Sequence, residues 1–593
     1  MRRRFPAFWG SIATGAVIAL QLAFSACNDF EKPKAEPYYS ATTPTRKQEF
    51  RWSNGKPPKS MDPARATAPP ESDIVRAVFE GLTELDAKTL KERPAAAESW
   101  TVNDDFRAWT FHLRADARWS NGRPLTAQDF VRSWKRLGEL GDTVTDRDLL
   151  KNILGFPIRK KDIALSTTDL LQAANGKVRV EPTPAATARE YSPEQNSNTG
   201  ISETGPALPL FGVTASDPAT LRVLLITPDK DFAKLVAHPL FRPVFDTVTD
   251  LRDMQPNRDV VTNGPFRISE VAPGGITLDR SDTYWNRDAI RLERVRFVST
   301  ENAEQALTAY KSGEIDAVTN ADFEPLALKL LEPFEDFRRR THAALNFYEI
   351  NHEKPPFDDR RVREALAIAI ERERLTEGET DGFTQPASSF LPFGAAPDSR
   401  IVQDKDRAAD LLEEAGFPGG KDFPIIRLVV NRNETQQRVA RAVARMWKQN
   451  LNIETEIVVK ENAEIEHARN AGDYDLIRRG AVFPTADELM SILTILKPPQ
   501  RPSEPLPTPA NEIRVEALDP RTGPAPRPLE RATAEAPDVT MSEANAVYEL
   551  WAIPLYFPTS YSLVKPYVIG FEMNSLDAPA LSDVSIDADW QPK

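Results

Sequence analysis

The chain has 593 residues, 40% hydrophobic and 27% charged, enough apolar material for several cores, which excludes global disorder and a membrane bundle. Its formal net charge of −13, with Lys and Arg dispersed, makes it a poor candidate for a nucleic-acid binder, and its single cysteine excludes a disulfide scaffold, a Cys-ligated zinc and a CxxC redox site.

The chain opens on Met1-Arg2-Arg3-Arg4, an apolar run through Ile12 to Leu20, and small residues up to Cys27. This reads as a secretory signal peptide over residues 1–26. Small residues before the only cysteine also match a bacterial lipobox in outline, with Phe24 in place of the usual Leu, so Cys27 is the candidate lipid-attachment point. The simpler alternative is an ordinary signal peptide with an incidental cysteine. Residues 27–49 are polar and proline-containing, as suits a tether.

The folded part is expected from Phe50. Trp109 to Arg114 alternates apolar and polar residues, a half-buried strand. Asn121-Gly122 marks a turn, and Thr126 with Asp129 opens a helix whose Phe130, Val131, Trp134 and Leu137 share one face. Asp404 starts a helix that Gly416 ends. Ile425–Val430 and Ile453–Val459 are strand runs flanking an amphipathic helix that carries Val439, Val443, Met446 and Trp447. Strand, helix, strand over about 35 residues predicts a βαβ crossover and a parallel sheet. Residues 181–209 look like an exposed insertion. Residues 498–537 hold eleven of the 50 prolines, which forbids helix or central strand.

Catalytic signatures are missing from the linear sequence. There is no GxG fingerprint and no GxSxG elbow. Gly419-Gly420-Lys421-Asp422 departs from a P-loop at both ends, and His112, His238, His342, His352 and His467 are scattered. The expectation is a protein without enzymatic activity, metal or cofactor.

Collinear motifs then carry a family resemblance. Asp62-Pro63, Val78-Phe79-Glu80-Gly81-Leu82, Ala97-Glu98-Ser99-Trp100, Trp109-Thr110-Phe111-His112-Leu113-Arg114, Trp119-Ser120-Asn121-Gly122 and Thr126-Ala127-Gln128-Asp129-Phe130 come first. Thr262-Asn263-Gly264-Pro265-Phe266, Tyr284-Trp285-Asn286, Ser312-Gly313-Glu314-Ile315-Asp316, Tyr348-Glu349-Ile350-Asn351, Lys354-Pro355-Pro356-Phe357-Asp358 and Leu563-Val564-Lys565-Pro566-Tyr567-Val568 follow. In these stretches the chain resembles the family-5 extracellular solute-binding proteins of ABC importers, the oligopeptide-binding branch in particular. Individually the motifs read as structure: the tryptophans as core, the Asn-Gly pairs as turns, Arg361 and Arg363 as a solvated helix face.

The resemblance implies an α/β, two-lobed periplasmic binding protein fold with a hinge and an extra domain in the N-terminal half. Lobe I is expected from 50–80, 207–300 and 545–593, the extra domain from 81–206, lobe II from 301–497, and a Pro-rich segment over 498–540. It implies capture of a peptide or peptide-like solute for an ABC permease of the inner membrane, by a monomer lipid-anchored in the periplasm or at the cell surface. A second reading is a sensor or interaction protein on the same scaffold; a third is an extracytoplasmic hydrolase. The segment Arg469 to Gly480 matches the family stretch whose arginines meet a peptide carboxylate, which puts Arg469 and Arg478 in that role; the other reading of both is a surface salt bridge. Thr67 and Pro69 fall on the family's binding loop, with Thr67 where an acidic residue is usual. The family's Trp and its ammonium-pairing Asp are replaced by Ala481 and Pro484. The anionic end of the site is therefore expected to be missing.

Overall fold

The computed structural model describes residues 37–40, 43–44, 47–156, 211–245, 255–394, 400–496 and 542–591. The signal segment 1–26, Cys27, the insertion 181–209 and the whole Pro-rich segment 498–540 lie outside them. Among the described residues no helix is long and apolar enough to cross a membrane.

The first lobe is built on β1 (Glu49–Ser53), whose inward Phe50 and Trp52 are fully buried. A loop leads to α1 (Glu71–Val78). A small antiparallel sheet follows, from β2 (Ala97–Val102), β3 (Ala108–Leu113), β4 (Val213–Asp217) and β5 (Thr220–Leu224), in the order β2-β3-β5-β4. The alternation at Trp109–Arg114 is realised in β3, with Trp109, Phe111 and Leu113 buried. Between these strands runs α2 (Ala127–Leu140), closed at its start by the reciprocal Thr126–Asp129 capping box. Phe130, Trp134 and Leu137 join Phe50, Trp52 and Phe111 in one continuous core, so the small sheet shares the first lobe's interior. Because β4 and β5 complete it, the extra layer extends past the expected limit at residue 206.

The chain returns through β6 (Phe266–Ala272), β7 (Gly275–Arg280) and β8 (Arg294–Val298), then β9 (Ala317–Val318) and β10 (Phe337–Thr341). β1 pairs in parallel with β8 and β9, and Arg51 on β1 forks onto Asp316 at 2.6 and 3.0 Å. Residues 301–341 therefore stand on the first lobe's sheet, and we draw the second lobe from after Thr341 rather than from 301.

The second lobe holds β11 (Ala344–Ile350), α3 (Arg360–Ile368), α4 (Lys405–Glu414), β12 (Ile426–Asn431), α5 (Glu434–Leu451), β13 (Thr455–Lys460), α6 (Asn462–Ala471), β14 (Leu476–Val482) and α7 (Glu488–Ile495). The predicted crossover is β12-α5-β13, parallel from Ile426↔Thr455 to Asn431↔Lys460. Val439, Val443, Met446 and Trp447 bury their helical face in the lobe's main core. Arg363 departs from the expected solvated face. It is buried and donates to the carbonyls of Phe357, Asp358 and Glu549 at 2.8 to 3.0 Å, because a guanidinium can satisfy several loop carbonyls at once.

The lobes are joined at two places. The long strand β15 (Ala552–Val564) pairs through 552–556 with β11 and through 559–564 with β10 and β9. Beside it, His342 and Ala343 link β10 to β11, and the His342 N–H donates to the Pro558 carbonyl at 2.8 Å. Two adjacent crossings of this kind make a hinge. Since Leu550, Ile553 and Leu555 lie in the second lobe's core, the first lobe's C-terminal share begins beyond residue 558, not at 545. The tether also ends earlier than expected. Tyr38 packs edge-on to Trp590, and Tyr39 packs on Phe334 and donates its N–H to Asp336 at 2.9 Å.

Asn263-Gly264-Pro265 clamps α1 onto β6. Asn263 exchanges hydrogen bonds with the Glu80 backbone at 3.1 and 2.9 Å, and Gly264 N–H donates to Val78 at 2.8 Å. A Cβ on Gly264 would stand 2.6 Å from the Val78 carbonyl carbon. Gly264→Ala is expected to cost ~2 kcal/mol of stability by this overpacking, read from denaturant unfolding, whereas an unchanged midpoint would show that the two backbones can part.

Candidate functional site

The site begins with a strand edge. β14 pairs antiparallel with β11 along its whole length, from Ala344↔Val482 to Ile350↔Leu476. Its other side meets β12 only at Leu476 and Ile477. The Phe483 N–H donates to the Ala343 carbonyl at 2.7 Å. By antiparallel alternation the odd-numbered residues bond toward β11, and Gly480 and Val482 turn N–H and C=O away from it. Both are exposed, Val482 at 62%. An open edge beside the inter-lobe crossings can accept an extended chain as a further strand.

The same alternation separates the arginines. Arg469, on α6, sits on the face that holds Arg479, and both converge on Glu349 of β11, at 3.0 and 2.7 Å. Tyr474 donates its hydroxyl to the same carboxylate at 2.9 Å, and burial followed by the Glu349 charge pushes its phenol pKa up. Arg469 is thus a buried structural ion pair, with Glu349 and Arg479 as partners that sequence spacing did not indicate.

Arg478 lies on the opposite face. One of its Nη groups donates to Asn346 Oδ1, while its Nε has no partner among the described residues. No carboxylate among the described residues comes within ion-pair distance of it. Tyr348 and Tyr556 stand beside it, Tyr556 accepting from Gln436 at 2.8 Å, and burial lowers the guanidinium's pKa. A mostly buried cation without an acid, next to an open strand edge, is arranged to take an anion.

The other two expected residues belong to the first lobe. Thr67 and Pro69 are half-buried in the loop before α1, and Pro69 offers a carbonyl but no N–H. The Asp146 carboxyl lies near Thr67, and burial pushes it up to about 6. An acid therefore stands beside Thr67 after all, brought from 79 residues downstream as the Thr145 N–H docks on the Ala64 carbonyl. His238 Nε2 lies 3.6 Å from Asp146, and its Nδ1 accepts from the Leu240 N–H at 3.2 Å. Burial, then the charges of Arg76 and Arg242, pull that imidazole down to about 3, so it is neutral. Asp73 accepts from Asn54 at 3.0 Å and is pushed up by burial to about 7.

A cavity of about 640 Å³ lies largely within the first lobe, and Arg478, Gly480, Val482, Thr67 and Pro69 do not line it. Asp73, Arg76 and His238 line it from the first lobe and Pro484 and Thr485 from the second. Ala481, in place of the family's Trp, is buried against Leu345 and Phe483. Pro484 sits in the cavity wall without a charge.

The sequence matches the family model described as "Bacterial extracellular solute-binding proteins, family 5 Middle" over residues 91–502. It is 30% identical over 559 residues to the periplasmic oligopeptide-binding protein OppA of Escherichia coli, covering 90% of this chain and 91% of that protein. The periplasmic murein peptide-binding protein MppA of the same organism is 28% identical, covering 92% and 94%. The unliganded open form of an MppA murein tripeptide-binding protein superposes with a TM-score of 0.67 at 25% identity, over 92% of this chain and 99% of that one.

Proposed function

The chain belongs to the bacterial extracellular solute-binding proteins of family 5, and on that premise we propose that it captures peptides or peptide-like solutes and delivers them to an ABC permease. The ligand lies extended along β14, its backbone paired with Gly480 and Val482 and its carboxylate on Arg478. Thr67 and Pro69 face it from the first lobe. Binding is sequence-tolerant, because the paired groups are the ones every peptide has. Ligand held by both lobes favours their closing about the two crossings, and the closed state is what a permease reads. The protein acts as a binder, not an enzyme, and works as a monomer outside the cytoplasm, where curated relatives are named periplasmic. Acylation of Cys27 tethers it to the membrane.

The observation that supports this reading most is the edge at Gly480–Val482, unpaired among the described residues, beside an arginine with no acid among them. Thermal unfolding with pools of short peptides tests it. A pool at a hundredfold excess over Kd adds ~2.7 kcal/mol, so the midpoint should rise by a few degrees. No shift with any pool, together with a co-purifying protein partner, would replace the transport role by an interaction role.

A further inference from the structure

A short helix, Pro325–Leu331, precedes β10 on the first lobe, and its run of four leucines exceeds what the core uses. Leu328 and Leu331 are buried, Leu331 in a small core with Tyr310, Ile315 and Val318. Leu326 and Leu330, one turn apart, point away from that core. They are 69% and 65% exposed, the two most exposed leucines among the described residues. The charges around them are mostly answered locally. Lys329 pairs with Asp381 at 3.9 Å and Glu332 with Arg339 at 3.2 Å, while Glu324 stands exposed at the helix start.

The chain enters the fold beside this helix. The Pro37 carbonyl accepts from the Glu335 N–H at 2.8 Å, Tyr39 packs on Phe334 with ring centroids 5.3 Å apart, and Ser40 Oγ meets Lys565 Nζ. Glu335 follows Leu330 by five residues, so the two lie within ~18 Å of each other. Ten residues separate Pro37 from Cys27, and in any conformation they span at most ~35 Å. Acyl chains on the Cys27 thiol would therefore keep a bilayer within reach of Leu326 and Leu330.

We propose that Leu326 and Leu330 seat in the headgroup layer of the bilayer that anchors Cys27, so that the first lobe lies on the membrane by this face. The inference rests on the acylation of Cys27 proposed above. The size of the patch favours lipid over protein. A stable protein interface buries ~800 Å² per partner against a complementary surface, which two side chains on a short helix do not approach. A headgroup layer takes single apolar side chains without any complementary shape. Two leucines alone hold weakly, but the tether makes the contact intramolecular, which strengthens it by ~100-fold or more. With its neighbouring charges paired and Glu324 exposed, the face suits a zwitterionic surface, not an anionic one. Docked in this way, the receptor holds one orientation toward a permease in the same membrane.

A nitroxide label on Leu330→Cys tests this in the acylated full-length mature protein, reconstituted in phosphatidylcholine vesicles. With Cys27 acylated, the introduced thiol is the only free one. A label on Val402→Cys, at a position 72% exposed on the second lobe, serves as the water-facing control. Access of a water-soluble nickel complex should be several-fold lower at 330 than at 402, and access of dissolved oxygen higher. Adding Leu326→Glu should restore nickel access at 330 while the protein mass still shows the acyl chains. Equal access at 330 and 402 in the acylated protein would overturn the docking and leave the anchor standing. Spin–spin broadening of the 330 spectrum would assign the face to a second copy of the chain and overturn it as well. A mass without acyl chains would remove the anchor, and the docking with it.

Discussion

Arg478→Gln is expected to lower the affinity for peptides with a free carboxyl end by ~100-fold or more, while the unliganded protein becomes no less stable. The guanidinium is mostly buried, and among the described residues it has one side-chain partner, Asn346, and no carboxylate. Its desolvation is therefore uncompensated until an anion arrives, and removing the charge relieves that cost. Losing one member of a buried charge pair in the complex costs ~2–5 kcal/mol, which sets the size of the affinity loss. Arg478→Lys keeps the charge and loses the fork, so it should fall between. A peptide amidated at its carboxyl end should bind wild type as poorly as the free peptide binds Arg478→Gln, and lose nothing further in the variant. Calorimetry of this four-way cycle reads the coupling; additive losses would mean that Arg478 and the carboxyl end do not meet.

Glu349→Ala should produce the other large effect, on stability. Arg469, Arg479 and Tyr474 all use this one carboxylate, and the side chains of the ion-paired three are 5%, 15% and 15% exposed. Removing it takes the shared carboxylate from two guanidinium groups in the second lobe, at ~3 kcal/mol or more. Denaturant unfolding should show the loss, and peptide affinity of the folded fraction should stay within about twofold. Arg469→Gln should behave in the same way. If instead Arg469→Gln abolished binding at unchanged stability, Arg469 would be a ligand group and the Glu349 network a resting state of it.

These two outcomes depend on something no spacing rule could settle. Arg478 and Arg479 are neighbours on a strand and so point to opposite faces; which one meets Glu349 follows from the pairing of β14 with β11, across 130 residues. The sequence made visible what is local. The Thr126–Asp129 cap, the β12-α5-β13 crossover and the Asp404 helix start all lie within a few tens of residues and appear as expected. Arg363 looked solvated because helical spacing cannot show that Glu549 returns to cover it. The same limit hid the acid beside Thr67. Residue 67 itself is not acidic, and only the fold brings Asp146 to it. The lobe boundary moved because β9, a two-residue strand, joins β1 to β15, too short a run to carry a periodic signal.

The central claim is that a peptide becomes the missing strand beside β14. Amide hydrogen exchange resolved at single residues across 476–483 tests it most directly. The amides of Ile477, Arg479 and Ala481 already bond to β11 and should exchange slowly with or without peptide. Those of Gly480 and Val482 should exchange fast in the free protein and slow by an order of magnitude or more on saturation. If peptide binds with full affinity and these two amides exchange as before, the ligand does not lie on this edge.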